Sequence, residues 1–397
     1  MTRHIGVVTG SRAEYDLLYW LLKQLEEDDC FRLSVIVTGS HPSPEFGSTA
    51  NRIYQDGWTA VETVEMLLSS GSDTGVGKSI GLGVIGMTDC LSRLTPDILV
   101  VLGDRYEILA SVQAAMVHSI PVGHISGGDV TEGVMDELIR HAVTKMSHLH
   151  FAALPEHGRR LMQMGEEPWR VHTVGELNLD AIRNLKPLSR RKLEKELGVP
   201  VNRRTLVVTF HPETPDLDTT EHQIEILLAG LNQHQGPVIF TYPNADAGNH
   251  IIKRKIGHFC SSREETGIFP CLGQKKYLSL LTYAGAMVGN SSSGIVEAPS
   301  FHLPFLHVGQ RQLSRVSSGN IICVPFNKKI ITQELKRACS TSFRRNCAGI
   351  SNPYGDGRAA EKITQVLGSV PLGEKLFTKR FFDIPGPNIT RSKDENQ

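Results

Sequence analysis

Short apolar runs alternate along the chain with amphipathic stretches, and most of the runs end on glycine. Ile98-Leu99-Val100-Val101-Leu102 is continuously apolar and breaks into Gly103-Asp104-Arg105. A run without polar alternation predicts a strand buried on both faces of a parallel sheet. Its carboxyl end opens where such sheets bind ligands. The same signature recurs at residues 5–9 before Gly10-Ser11-Arg12, at 33–38 before Gly39, and at 121–125 before Gly127-Gly128-Asp129; shorter versions lie at 149–153 and 171–174. Between them, residues 15–25 carry Leu17, Leu18, Leu21, Leu22 and Leu25 at helical spacing. Helices are also predicted over 108–118, 155–164 and 179–185, and one starts near Asp136-Glu137, ahead of Leu138-Ile139-Arg140-His141. Residues 54–68 show no clear period.

The second half restarts the alternation. Strands are predicted at 205–210, before His211-Pro212-Glu213, and at 238–242, before Pro243-Asn244-Ala245-Asp246-Ala247-Gly248. Two more lie at 286–289, before Asn290-Ser291-Ser292-Ser293-Gly294, and at 304–308, before Gly309-Gln310-Arg311. Helices fall at 224–231, 277–283, 295–298 and 357–367. Lys186-Pro187 breaks a helix ahead of the charged run 190–197, so the boundary is placed there. The pattern predicts an α/β chain of two Rossmann-like doubly wound domains facing a central cleft, residues 1–187 and 188–367. An extension, 368–397, ends in a polar tail from Thr390 that is expected to be disordered.

Residues 69–86 are glycine-rich and read as a flexible loop leading into a helix that ends near Leu94; such a loop could close over a substrate. Two apparent motifs here fail on context. Gly81-Leu82-Gly83-Val84-Ile85-Gly86 follows no strand, and Gly71 lies one residue too far from Gly77-Lys78-Ser79 for a P-loop.

Composition narrows the choice. Lys+Arg and Asp+Glu both number 42, so no basic excess suggests a nucleic-acid partner, and local arginines favour a small phosphorylated ligand. Seven cysteines without a C-x-x-C pair read as reduced thiols in a cytoplasmic protein. No apolar stretch approaches membrane-spanning length. No ordered group of histidines and acids suggests a metal site, and no cofactor is expected.

Asp104, Asp129 and Asp136 stand at two strand ends and a helix start, near Arg105 and Arg140. Crowded there, carboxylates repel, one pKa rises, and a general acid and a general base arise together. His211 could donate a proton to a leaving phosphate oxygen, although a structural histidine before proline is the simpler reading. Ser291 and Ser292 between a strand and a helix could cradle phosphate. A turn that only caps its own helix is the better explanation until Arg311, at the next strand end, is added. Glu297 could accept bonds from a ribose or complement the helix dipole. Arg12 at the first glycine turn would add charge beside free N–H groups.

Taken together, Val8-Thr9-Gly10-Ser11-Arg12-Ala13-Glu14-Tyr15, Leu102-Gly103-Asp104-Arg105, the Gly127-Gly128-Asp129 loop with Asp136-Glu137-Leu138-Ile139-Arg140-His141, Phe210-His211-Pro212-Glu213, the Pro243–Gly248 and Gly289–Gly294 turns and Asn352-Pro353-Tyr354-Gly355-Asp356-Gly357 resemble the UDP-N-acetylglucosamine 2-epimerases, most closely the hydrolysing branch that feeds sialic acid synthesis. The resemblance runs from about Ile5 to Leu367. It implies a fold like the two-domain GT-B glycosyltransferases and a UDP-sugar substrate. A carboxylate would take the proton from the second sugar carbon as UDP leaves the first, and water would add to the 2-acetamidoglucal to give free N-acetylmannosamine. Asp104, Asp129 and Asp136 would then be the acid/base set. His211, Ser291, Ser292, Glu297, Arg311 and Arg12 would hold the diphosphate, with Asn244 and Arg105 in the same cleft. Relatives imply a homodimer or homotetramer. Ser126 departs from the pattern, since relatives often carry glutamate there, and Asp129 is the acid placed to take that role. A sister group in legionaminic acid synthesis, acting on 2,4-diacetamido-trideoxy sugars, shares these motifs. A non-hydrolysing epimerase, a glycosyltransferase and a nucleotide-sugar sensor are the competing readings.

Overall fold

The computed structural model describes residues 2–58, 60–69, 72–131, 135–213, 216–242 and 248–384. The chain divides into two compact units, Met1–Leu177 with Gly357–Gln397, and Asn178–Asp356. Each is an α/β unit built on a parallel sheet, as the alternation of apolar runs and helices predicts.

Unit 1 holds seven strands: β1 (Arg3–Thr9), β2 (Phe31–Val37), β3 (Val61–Thr63), β4 (Ile98–Leu102), β5 (Val122–Ile125), β6 (Leu149–Ala152) and β7 (Val171–Thr173). Their order is β3-β2-β1-β4-β5-β6-β7. The chain therefore winds outward from β1, returns to β4 and winds the other way, which makes the β1/β4 boundary the switch point. Val7 pairs with Val100, so the two strands run out side by side. Helices α1 (Arg12–Glu27), α2 (Asp73–Leu94), α3 (Tyr106–Val117), α4 (Met135–Met146) and α5 (Pro155–Gln163) accompany them. Helix α1 starts where Ser11 accepts from the Glu14 N–H, and it buries Leu18, Leu21, Leu22 and Leu25.

The expected glycine-rich loop is instead helix. α2 runs unbroken from Asp73 to Leu94, with Ser72 as its cap. A Cβ on Gly83 would stand 2.7 Å from Met66 Cε and 3.0 Å from Ala110 Cβ. Its glycine serves close packing against α3 and the segment after β3, at a helix-propensity cost of about 1 kcal/mol.

Unit 2 holds β8 (Leu206–Thr209), β9 (Val238–Thr241), β10 (Thr266–Phe269), β11 (Ala286–Gly289), β12 (Phe305–Val308) and β13 (Ile321–Val324), in the order β10-β9-β8-β11-β12-β13. Its helices include α6 (Leu217–Leu231), α7 (Asn249–Ser261), α8 (Gln274–Tyr283), the single turn α9 (Ser293–Val296) and α10 (Lys328–Ala338). The switch point here lies between β8 and β11.

The expected domain limits change in two places. The first crossing falls at Leu177/Asn178, not after Pro187, and the last predicted helix belongs to unit 1. That helix, α11 (Ala359–Ser369), buries Ala359, Ala360, Ile363 and Leu367 in one apolar cluster with the leucines of α1. Arg3 Nη1 ties its end down by donating to Leu367 O (2.7 Å) and Val370 O (2.6 Å). The extension stays with unit 1 as well. Buried Arg170 donates to Leu376 O (2.7 Å) and Thr378 O (2.8 Å), and Lys379 pairs with Glu166 at 2.7 Å. The tail beyond Thr390 lies outside the described residues.

Candidate active site

In unit 1 one buried cation, Arg140, joins Asp104, beyond the end of β4, to Glu137 on α4. Gly103, at φ +80°, turns the chain out of β4 and presents Asp104. Arg140 on α4, only 4 % exposed, pairs with Asp104, donates to Glu137 Oε2 at 3.0 Å and to Thr131 Oγ1 at 2.8 Å. His124 on β5 braces the same corner, its Nε2 lying 2.8 Å from Gly103 O and its Nδ1 3.3 Å from Thr144 Oγ1. Burial pushes its pKa down to about 3, so the ring is neutral.

Asp129 follows the glycines that end β5. Its Oδ1 accepts the Val130 N–H at 2.8 Å and lies 3.5 Å from His157 Nε2 on α5. Asp136 sits in the first turn of α4, partly exposed, and makes no hydrogen bond or ion pair with the described residues. One carboxylate is thus ion-paired, one lies beside a histidine and one is unengaged. Such a spread of environments suits acids that must give and take protons. Arg140 supplies Asp104 with a counter-charge. The crowded carboxylates are Glu14 and Glu107, at the β1/β4 switch point.

One donor of the first glycine turn is already engaged. Its Gly10 N–H is taken by Glu14 Oε2 at 2.7 Å, so that donor is not free for an outside anion. Arg12 is exposed in the first turn of α1, and Arg105 lies next to Asp104 with its Nε 2.6 Å from Glu107 Oε1.

Unit 2 gathers three strand ends around Asn290 and Glu213, neither of which sequence reasoning singled out. Asn290, fully buried after β11, accepts the His211 N–H at 2.7 Å and donates to His211 O at 2.8 Å. Glu213 Oε1 accepts the N–H groups of Gln310 (2.9 Å) and Arg311 (3.0 Å) beyond β12. A Cβ on Gly309, at φ +98°, would lie 2.2 Å from that oxygen, so only glycine admits the contact. The result is a buried His211, an exposed Arg311 side chain and an exposed Ser292 at neighbouring strand ends. Ser291 Oγ accepts the Ser293 N–H at 3.4 Å, a capping role. Glu297 is bonded by Ser293 Oγ, whose other partner is Tyr277 Oη at 2.6 Å, and burial raises its carboxyl pKa. Asn244 lies outside the described residues. Among the described residues no group of histidines, cysteines and acids could hold a metal ion, and no helix is long and apolar enough to cross a membrane.

A family model described as UDP-N-acetylglucosamine 2-epimerase matches residues 23–368. The chain belongs to the UDP-N-acetylglucosamine 2-epimerase family. It is 36 % identical over 385 residues to the GDP/UDP-N,N'-diacetylbacillosamine 2-epimerase (hydrolyzing) of Campylobacter jejuni, covering 96 % of this chain and 99 % of that one. To the polysialic acid biosynthesis protein P7 of Escherichia coli it is 34 % identical, covering 96 % and 98 %. The UDP-N,N'-diacetylbacillosamine 2-epimerase (hydrolyzing) of Legionella pneumophila is 33 % identical, with 96 % and 99 % covered. The crystal structure of UDP-GlcNAc 2-epimerase from Neisseria meningitidis bound to UDP-GlcNAc shares the fold with this epimerase-family chain. It aligns with a TM-score of 0.76 at 19 % identity, over 92 % of this chain and 99 % of that one.

Proposed function

We propose that the chain is a hydrolysing 2-epimerase of a UDP-linked 2-acetamido sugar. The observation that carries this reading is the Asp104–Arg140–Glu137 arrangement beside an unengaged Asp136, in a chain of this family. A carboxylate of unit 1 removes the proton from the second sugar carbon while UDP leaves the first. Water then adds to the 2-acetamidoglucal, and a second acid returns the proton to the opposite face. Asp104, Asp129 and Asp136 divide these steps. Unit 2 grips the diphosphate with His211, Ser291, Ser292 and Arg311, and Glu297 and Asn244 serve the nucleoside or sugar. Arg12 and Arg105 add positive charge.

Two relatives at 36 % and 33 % identity carry the diacetylbacillosamine name, which supports the N,N'-diacetyl sugar as substrate. UDP-N-acetylglucosamine, giving N-acetylmannosamine for sialic acid synthesis, is the second reading, favoured by the 34 % relative named for polysialic acid biosynthesis. Product analysis with UDP-N-acetylglucosamine and with UDP- and GDP-linked N,N'-diacetylbacillosamine, in heavy-oxygen water, decides between them. Free UDP and a sugar labelled at its anomeric hydroxyl are expected from the true substrate. An intact epimerised UDP-sugar as sole product would refute hydrolysis.

A further inference from the structure

Two acids that the scheme above does not use are buried at the switch point of unit 1. Glu14, in the first turn of α1, is 8 % exposed, and Glu107, in the first turn of α3, is fully buried. They face one guanidinium, with Arg105 Nε 2.6 Å from Glu107 Oε1 and 3.6 Å from Glu14 Oε1. Glu14 Oε2 accepts the Gly10 N–H, while Glu14 Oε1 and Glu107 Oε2 have no hydrogen-bond partner among the described residues. Two carboxylates against one cation leave a surplus negative charge away from water, which a single proton removes. The backbone is shaped around this pair. A Cβ on Gly10 would stand 2.5 Å from Glu107 Cγ, and one on Gly39 3.0 Å from Glu107 Oε1. An apolar side chain would fill the same volume without desolvating a charge, so packing alone gives no reason for two acids here.

We propose that Glu14 carries a proton beside Glu107 and that both act as positioning residues, fixing the Arg105 guanidinium and the Gly10–Ser11 turn for the anionic group of the nucleotide sugar. This rests on the epimerase reading for the identity of the ligand. Burial first, and Glu107 second, push the Glu14 carboxyl up to about 7. Burial opposes the charge on Arg105, yet Glu107 and then Glu14 hold its pKa above the usual value, and its side chain stays 44 % exposed. The other groups at this corner are Tyr106, whose ring centroid lies 5.8 Å from Arg105, and His41 after β2, which burial lowers to about 4 and so leaves neutral. Arg12 stands on α1 itself. With one proton in the pair, pair and guanidinium sum to zero; without it, these three groups carry one net negative charge, which weakens the hold on an anionic ligand.

The test is steady-state UDP release across neutral pH for wild type, Glu14→Gln, Glu107→Gln, Arg105→Ala and the Glu107→Gln/Arg105→Ala double variant. The wild-type KM is expected to rise about tenfold as pH passes through about 7, and Glu14→Gln to lose that rise. Glu107→Gln should raise KM about tenfold more than it lowers kcat, and add nothing in the Arg105→Ala background. An unchanged pH dependence in Glu14→Gln, or multiplying effects in the double variant, overturns the proposal. Tm against pH gives a reading without substrate. A carboxyl raised in the folded state loses stability as pH climbs from its unfolded value to about 7. Glu14→Gln should flatten that part of the curve, and superimposable curves would also overturn the proposal. If wild type releases no UDP from any nucleotide sugar, it is the functional reading that fails, while the Tm comparison still decides the proton on Glu14.

Discussion

At the scale of single residues, the site separates groups that hold structure from groups that wait for substrate. Arg140 is the holding group. Arg140→Met would leave Asp104 and Glu137 facing each other, both about one-fifth exposed, without their cation. Loss of about 3 kcal/mol is expected, read as a lower urea midpoint with unchanged slope, together with loss of turnover. Asp136 makes no hydrogen bond or ion pair with the described residues, so Asp136→Asn should leave the urea midpoint where it is and lower kcat by about 10²–10⁴. A stability loss as large as that of Arg140→Met would instead mark Asp136 as structural. Sequence alone named Asp104, Asp129 and Asp136, with Arg140 near them, as candidates from their places at strand ends and a helix start of a parallel sheet. It did not expose Glu14 and Glu107. Acids in the first turn of a helix ordinarily face solvent, and only the sheet order places these two on either side of β1 and β4.

The strands were legible as elements wherever an apolar run was continuous, and β1, β2, β4, β8 and β11 fall within two residues of expectation. Edge strand β10 was missed since its side chains are all half-exposed and carry neither a continuous run nor a clean alternation, while β13 was missed because its apolar run, Ile321–Val324, is only four residues long. Helix α2 was misread for a different reason, as glycine signals flexibility locally but close approach once two helices pack. This gives a paired test. Gly81 is exposed with nothing within 4 Å of an added Cβ, so Gly81→Ala should stabilise by about 0.5–1 kcal/mol. Gly83→Ala, against Met66 and Ala110, should destabilise by about 1–3 kcal/mol. Chemical denaturation of both variants checks the sign, and two stabilised variants would contradict the packing.

For the whole molecule, pH acts through buried histidines. Burial lowers His41 and His148 to about 4 and His124 to about 3. Each is bound by fewer protons folded than unfolded between about 6.5 and its folded value, so each withdraws stability as pH falls through that window. Glu14 works in the opposite direction over an overlapping range, as one group against three. Net loss of a few kcal/mol is expected between about pH 6.5 and 4, measured by Tm in buffers of constant ionic strength. A flat curve across that interval would mean these rings are more open to water than their burial indicates.

Unit 2 lies wholly between two passages of the chain, one at Leu177 and one at Gly357, while α11 is needed to cover the leucines of α1. This sets an order on biosynthesis. On a ribosome, residues 178–356, with every strand of their sheet, are synthesised before the helix that seals the earlier-made unit. The apolar flank of α1 therefore waits, uncovered, for almost the entire gene to be read, and the middle of the nascent polypeptide is free to mature before its beginning.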